Sequence, residues 1–200
     1  RAEGRGFQAG VDVKELAAHG DLIIDVNRGC YDSFAAVYDC PVPTIAAVHG
    51  FCIGGGIGIA GAADFVIASE DATFQLPEID RGALGAATHL TRLVGVQKAR
   101  RMLYTCESIT AAELYRVGGC ESVVPKATLR DEVMKVARSI AGKSPKALRL
   151  GKQSLNGIEV VDVKKSYRFE QGFTLELYTS KDSQEARDAF SEKREARFDR

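Results

Sequence analysis

The sequence predicts an α/β protein whose second half is helical, and three observations carry this prediction. Apolar strands are expected at residues 44–49 and 64–68, and between them lie a glycine-rich turn and a helix of small residues, 57–63. This order is the strand, helix, strand crossover of a parallel sheet. Beyond Gly85 the apolar residues change to helical spacing. The 200 residues are 45% hydrophobic, enough for one core that buries roughly 70% of the unfolded surface.

The first half begins with a polar stretch and continues into regular elements. Residues 21–38 place apolar side chains at steps of three and four, which predicts an amphipathic helix that Pro41-Val42-Pro43 stops. The strand at 44–49 is expected to run without a break into the glycines, and a further short strand is expected around residues 73–75.

The second half is predicted to be mostly helical. The expected elements are a helix at 96–105, a capping box from Thr110 to Glu113, a short strand at 121–124, and a helix from Thr128. Another helix is expected to start at Ser144-Pro145, and a long segment at 161–177 and a charged terminal helix from Ser183 follow. There is no internal repeat or low-complexity linker. We therefore expect a core at residues 1–125 and a helical C-terminal region at 126–200.

The charge balance and the apolar runs exclude several classes of protein. With 27 basic and 27 acidic side chains, the chain has no global field that would attract nucleic acid or an anionic membrane. Its apolar stretches, such as 42–48 and 57–63, are far shorter than the ~20 residues that span a bilayer, and no cleavable signal opens the chain. We expect a cytoplasmic protein with neither a nucleic-acid nor a membrane partner.

The five cysteines are expected to be free thiols rather than metal ligands. They include no Cys-x-x-Cys pair, and the three histidines do not cluster with them. No metal site is therefore predicted. Cys52 lies beside the glycines and could be a nucleophile, but no His or acid stands at an activating spacing, so packing is the favoured interpretation.

The run Gly54-Gly55-Gly56 needs a physical reason, because a glycine within a helical turn costs about 1 kcal/mol relative to alanine. The reason can be tight packing, or a ligand that approaches the bare N–H groups at a helix N-terminus, such as a phosphate or a developing oxyanion. A phosphate loop would require a following Lys-Ser or Lys-Thr pair, and a dinucleotide turn the spacing Gly-x-Gly-x-x-Gly. Neither is present.

Three further motifs accompany the glycine run: Gly10-Val11-Asp12, Leu76-Pro77-Glu78-Ile79 and the charged segment 182–194. In this order and spacing the chain closely resembles the crotonase family of enoyl-CoA hydratases and isomerases. The resemblance implies a crotonase-like ββα spiral core with a helical C-terminal trimerisation region, an acyl-CoA substrate without a prosthetic group, and a homotrimer or hexamer. Family members carry a further segment ahead of the matching part, so we expect the chain to be N-terminally truncated.

The same resemblance implies roles for individual residues. The substrate's thioester oxygen would lie between the backbone N–H groups of Val11 and Gly55, which would stabilise an enolate. Losing one such donor costs about 3 to 4 kcal/mol in a transition state. The CoA would lie along Ala9, Asp12, Val13 and Lys14, and the CoA of a neighbouring subunit would meet Phe190 and Lys193.

Hydratases of the family use two carboxylates, and only one is present here. Glu78 matches the second, while Gly58 stands in the place of the first, which argues against a simple hydratase. Without the resemblance, Glu78 would be interpreted as an exposed acid at a strand end. Apolar neighbours are expected to raise its pKa toward that of a useful base. Gly58 is also expected to leave room for a bulkier acyl group, such as a ring.

Segments 28–30, 51–58, 77–89 and 167–174 are similar to the bacterial steroid-degrading branch of the family. This implies hydrolytic carbon–carbon cleavage of a bicyclic diketone thioester, in which Glu78 activates water or moves the proton. Asp80, Arg81 and His89 are secondary candidates, and His49 is interpreted as an orienting or packing residue. The alternatives are an enoyl-CoA delta isomerase or hydratase of fatty-acid β-oxidation, and a noncatalytic CoA-binding protein.

Overall fold

The computed structural model describes residues 2–12, 15–16 and 19–198. Within this part the strands are β1 (Ile45–Val48), β2 (Phe51–Ile53), β3 (Phe65–Ser69), β4 (Thr73–Gln75), β5 (Ile109–Thr110) and β6 (Ser122–Val124). The helices are α1 (Ile23–Tyr38), α2 (Gly55–Ala62), α3 (Ala87–Thr105), α4 (Ala111–Arg116), α5 (Leu129–Ala141), α6 (Pro145–Ile158), α7 (Val163–Tyr178) and α8 (Lys181–Glu192). Short 3-10 turns lie at Gly20–Leu22, Ile79–Arg81 and Lys126–Thr128.

The strands form two small sheets. One has the order β1-β3-β6 with parallel neighbours, and the other has the order β2-β4-β5. In the second sheet β2 and β4 are parallel, whereas β4 and β5 are antiparallel. The parallel pair β1 and β3 with α2 between them confirms the crossover that the sequence predicts.

The prediction of one strand running directly into the glycines is wrong. The chain turns at Gly50, whose φ of 59° lies in the left-handed region, and it resumes as β2 in the other sheet. A side chain at Gly50 would meet the backbone at Arg5 and Gly6, so a glycine is required at this turn. The turn is fixed by Thr73, whose N–H donates to the Gly50 carbonyl at 2.7 Å.

Helix α3 begins nine residues earlier than the sequence predicts. Its two halves meet at Gly95, where φ is 74° and ψ is 164°, and only the second half has the predicted pattern. The start was missed because its N-terminal N–H groups are capped from α7, not by a neighbour in sequence. The Glu170 carboxylate accepts hydrogen bonds from the N–H groups of Ala87 and Thr88 at 2.7 and 3.0 Å.

Helix α2 lies in the centre of the fold, and its small residues allow close packing. Ile57 and Ala60 are fully buried, and a side chain at Gly61 would overlap the backbone of His89 on α3. This packing brings α1 and α3 against α2. The capping box of α4 is confirmed, because Thr110 and Glu113 exchange hydrogen bonds there.

Helix α7 covers the core and is fastened to it by buried polar groups. Gln171 donates to the Asn27 carbonyl at 2.6 Å, and Thr174 donates to the Leu84 carbonyl at 2.9 Å. These contacts join α7 to α1 and to the loop that precedes α3. In the described part of the chain, no helix has both the length and the apolar character needed to cross a membrane.

Candidate active site

A cleft of about 880 Å³, measured with its open mouth included, lies where the glycine turn, α1, the loop before α3 and α7 meet. Its wall is largely apolar, with Leu16, Ile23 and Leu84 among the residues that line it. The cleft brings together residues far apart in sequence, from Ala9 to Arg187. A mostly apolar concave site with a few convergent polar groups is typical of a small-molecule pocket.

Two glycine turns meet at one wall of this cleft. Gly10 and Gly54 both have positive φ, of 91° and 57°, and a side-chain carbon at Gly10 would lie 3.8 Å from the Gly55 nitrogen. Gly10, Val11, Gly54 and Gly55 all line the cleft. Among the described residues, no acceptor pairs with the N–H groups of Val11 or Gly55. Both predicted donors therefore lie on the cleft, and no described residue uses their hydrogen-bonding capacity.

Glu78 lines the cleft beside these glycines. A side-chain carbon at Gly54 would lie 2.5 Å from Glu78 Oε1, so the bare backbone of Gly54 makes room for the carboxyl group. The Oε2 atom is buried and has no hydrogen-bond partner in the described part of the chain. Burial raises the pKa of Glu78 to about 8, because an ionised carboxylate loses its hydration there, and the carboxylate of Glu170 adds to this rise. A carboxyl group with such a pKa can both accept and return a proton near neutral pH.

The space at Gly58 is not open, which corrects the prediction that this glycine admits a bulkier acyl group. A side-chain carbon at Gly58 would overlap the ring of Phe34, which is 4% exposed. Phe34 itself lines the cleft. An apolar ring thus fills the volume at the position where the resemblance implies the hydratases' first carboxylate. The contour of the cleft here is set by Phe34 on α1, whose contact with α2 depends on the absence of a side chain at Gly58.

An aromatic cluster of Phe34, His89 and Tyr167 closes this side of the cleft. The ring centroids are 4.9 Å apart for Phe34 and His89, 5.2 Å for Phe34 and Tyr167, and 5.0 Å for His89 and Tyr167. His89 does not line the cleft; it is 1% exposed, and neither of its ring nitrogens has a hydrogen-bond partner among the residues that the structure describes. Burial lowers the pKa of His89 to about 3, so the ring is neutral. His89 is therefore a packing residue here.

The other secondary candidates lie in different surroundings. Arg81 lines the cleft, and its guanidinium lies 4.9 Å from the centre of the Phe190 ring. Asp80 is exposed and does not line the cleft. His49 contacts the Gly4 carbonyl at 3.1 Å through Nε2, which agrees with an orienting or packing role.

The residues predicted to bind CoA are only partly within the cleft. Ala9 lines it, whereas the exposed Asp12 accepts a hydrogen bond from the Glu15 N–H at 3.3 Å. Val13 and Lys14 lie outside the described residues. Lys193 is exposed at the end of α8, with a φ of 54°, and is not on the cleft wall. Its contact with a neighbouring subunit's CoA, like that of Phe190, stays a prediction.

The cysteines show no pairing among the described residues, where all five are free. Cys52 is fully buried, and burial raises its pKa far above the ordinary value, which supports packing. Cys30 lines the cleft, and burial followed by the charge of Glu78 raises its pKa as well. No group of three or more potential metal-binding side chains occurs within the described ranges.

Several residues of the cleft wall were not predicted from sequence. Asn27, Cys30 and Phe34 come from one face of α1, while Tyr167 and Arg187 come from the C-terminal helices. The signal that could have found Asn27 and Cys30 is their spacing on the same helical face as Phe34. Helical spacing alone identifies a face that packs inward, and it does not distinguish a core from a cavity.

Comparison with known proteins adds independent observations. The sequence pattern of the family described as enoyl-CoA hydratase/isomerase matches residues 2–200. Over 195 residues the chain is 54% identical to the (7aS)-7a-methyl-1,5-dioxo-2,3,5,6,7,7a-hexahydro-1H-indene-carboxyl-CoA hydrolase of Rhodococcus jostii (strain RHA1), a match that covers 96% of this chain and 75% of that protein. The hydrolase of the same name from Mycobacterium tuberculosis is 52% identical, and the match covers 96% of this chain and 79% of the relative. The fold is similar to a crystal structure of an enoyl-CoA hydratase/isomerase from Xanthobacter autotrophicus Py2, with a TM-score of 0.87, 28% identity, and coverage of 100% of this chain and 80% of that one.

Proposed function

Because the chain belongs to the enoyl-CoA hydratase/isomerase family, we propose that it cleaves a carbon–carbon bond in a bicyclic, steroid-derived CoA thioester by adding water. Family membership and the crotonase-like α/β fold confirm the resemblance found in the sequence. The proposed substrate is supported by the two relatives whose names describe a bicyclic dioxo CoA thioester and a hydrolase.

One observation carries the proposal: Glu78 is the only carboxylate among the described residues that line the cleft, and its Oε2 is buried and unpaired. A simple hydratase of the family needs a second acid, whereas Phe34 fills the space at Gly58. One proton carrier beside two unused N–H donors suits a reaction in which water is activated and a leaving enolate is stabilised.

In the proposed reaction, Glu78 takes a proton from water as the water oxygen bonds to the carbon of a ring ketone. The resulting alkoxide collapses to a carboxylic acid, and the bond to the neighbouring ring carbon breaks. The electron pair of that bond delocalises onto the thioester oxygen, which would accept hydrogen bonds from Val11 and Gly55. Glu78 then returns its proton to the carbanion, so that one water molecule is consumed overall.

The test is incubation of the protein with a bicyclic diketone CoA thioester, followed by mass spectrometry. We expect the mass of one added water, and fragmentation should locate a new carboxylate where the ring opened. Glu78→Gln should abolish this product, whereas Glu176→Gln, at an exposed position on α7, should not. Added water without a new carboxylate would mean hydration and would contradict the proposal.

A delta isomerase is the second candidate, because one carboxylate can carry a proton between two carbons. It would exchange substrate hydrogen with deuterated solvent and shift a double bond without adding mass in ordinary water. A noncatalytic CoA-binding protein would bind plain CoA in calorimetry but leave every thioester unchanged. The single carboxylate on the cleft supports the two catalytic candidates over this one.

We further propose that the protein acts in the cytoplasm. From the same resemblance we propose that it is a homotrimer or hexamer, that it requires no prosthetic group, and that CoA enters only as part of the substrate. Arg81 and Arg187 give the cleft wall two positive charges suited to an anionic ligand. Sedimentation analysis would test the assembly, and full turnover by metal-free, chromophore-free protein would test the absence of a cofactor.

A further inference from the structure

Tyr167 places a phenol on the cleft wall without giving it a partner. The residue is 6% exposed, and among the described residues its hydroxyl makes no hydrogen bond. Tyr38 is buried to the same extent, but its hydroxyl contacts Glu159 Oε2 at 2.9 Å and the Asn156 carbonyl at 3.2 Å. The Tyr167 hydroxyl is not among the enclosed side-chain atoms without a partner, and Tyr167 lines the cleft, so its hydrogen-bonding capacity is available to a ligand there.

The ring of Tyr167 is held in place from several sides. Phe34 and His89 pack against it, and Tyr31 stacks parallel to it with centroids 6.5 Å apart. The next residues of α7 are fixed as well, through Glu170 at the start of α3 and Gln171 at the Asn27 carbonyl. These contacts therefore fix the position of the phenol oxygen before a ligand arrives, and only its O–H bond has to turn toward the acceptor.

The contacts along α7 show where in the cleft this hydroxyl lies. Tyr178, three turns further along, donates to the Leu16 carbonyl at 3.3 Å, whereas Tyr167 packs against Phe34 at the other end of α1 from Ile23. Tyr167 thus lies at the end of the cleft away from Leu16. Burial, and then the charges of Cys30, Glu170 and Glu78, raise the pKa of the phenol, so it stays protonated and acts as a donor.

We propose that the Tyr167 hydroxyl is a further catalytic group, which donates a hydrogen bond to the oxygen of the ring ketone that water attacks. This inference rests on the function proposed above. The reaction develops negative charge at two oxygens in turn: first on the attacked ketone, then on the thioester. Val11 and Gly55 would serve the second oxygen. Tyr167 supplies a neutral donor for the first, and no proton leaves the phenol, so the proton balance through Glu78 is unchanged.

The experiment compares Tyr167→Phe with wild type and with Tyr31→Phe as the matched control. The Tyr31→Phe variant loses the same hydroxyl group, and Tyr31 stacks on Tyr167 but does not line the cleft. With the bicyclic diketone thioester, we expect Tyr167→Phe to lower kcat by about 100-fold or more, as for other single donors to an oxyanion. Its KM, its affinity for plain CoA and its melting temperature should stay near wild type, and Tyr31→Phe should retain kcat.

A second measurement separates the proposed role from a structural one. The ring-opened product no longer contains the attacked ketone, but it still exchanges one carbon-bound hydrogen with deuterated water through Glu78 and the thioester enolate. Tyr167→Phe should therefore keep wild-type product exchange while losing cleavage. Full cleavage by the variant, or an equal loss of cleavage and exchange, overturns the assignment of Tyr167. A wild-type protein that adds no water overturns the proposed function, and this assignment with it.

Discussion

Replacing Glu78 by glutamine should make the stability of the protein less dependent on pH. In the folded protein burial raises the pKa of this carboxyl group from 4.5 to about 8, so the folded state holds the proton more tightly than the unfolded chain does. The stabilisation that this proton gives is complete below pH 4.5 and is lost as the pH rises through about 8. An amide does not titrate and has no such loss.

The size of the effect follows from the two pKa values. At about 1.4 kcal/mol for each pH step, the difference between 4.5 and about 8 corresponds to about 5 kcal/mol of unfolding free energy. At pH 7 about 3 kcal/mol of it is already lost. Relative to wild type, Glu78→Gln should therefore gain about 3 kcal/mol between pH 4.5 and pH 7, and a further 1 to 2 kcal/mol, approximately, by pH 9.

Urea unfolding followed by circular dichroism from pH 5 to pH 9 measures this difference directly. A pH-independent offset is expected as well, because the glutamine amide enters a site where the carboxyl Oε2 has no partner. Only the change of unfolding free energy with pH tests the reasoning, and Glu176→Gln should show the same pH dependence as wild type. Parallel curves for wild type and Glu78→Gln would refute the proposed burial of a titrating carboxyl group.

Further predictions concern the same cleft and its supports. In wild type, kcat/KM should rise with pH and level off above about 8, because ionised Glu78 is the base in the free enzyme. A stopped-flow series in which kcat/KM is constant from about pH 6 to pH 9 would contradict this. Gly54→Ala should lower kcat at least about tenfold, since the added carbon meets Glu78 Oε1 and alanine is strained at a φ of 57°. The Gly58→Glu variant should have a lower melting temperature, because the new side chain clashes with Phe34. The double variant Gly58→Glu, Phe34→Ala should recover part of this loss, and thermal unfolding of both variants tests the prediction. Glu170→Ala should cost about 1 to 2 kcal/mol in urea unfolding by uncapping α3, and an unchanged midpoint would contradict that role.

The sequence predicts those parts of the fold that depend on local patterns. The crossover around α2, the helix α1 and the capping box at Thr110 follow from spacing and cap residues, and the structure has them all. The break at Gly50 and the start of α3 depend on contacts from other parts of the chain. Gly50 turns against the backbone at Arg5, and α3 is capped by Glu170. A local sequence pattern does not reveal partners that are distant in sequence.

The candidate site also combines residues that the sequence predicts with residues that only the structure brings together. Gly55 and Glu78 stand in short motifs, so their types and spacing could be recognised before the structure was known. Phe34 and Tyr167 come from separate helices, and their meeting depends on how α7 packs over α1. The prediction for Gly58 was wrong because it considered the missing side chain without the neighbour that takes its place.

The hydrogen bonds that hold α7 against the core affect how the substrate specificity of this fold can be changed. The backbone donors and Glu78 belong to the first half of the chain, whereas Tyr167 and Thr174, which also line the cleft, belong to α7. Glu170, Gln171 and Thr174 keep α7 in position by binding backbone groups, which every sequence possesses. Three residues of α7 line the cleft, and of these Tyr167 is the proposed donor and Thr174 holds the helix. A mutation at the third, Tyr178, can therefore alter the accepted ring system while the proposed chemistry on the thioester stays intact. Directed evolution of new acyl specificities should begin on that helix.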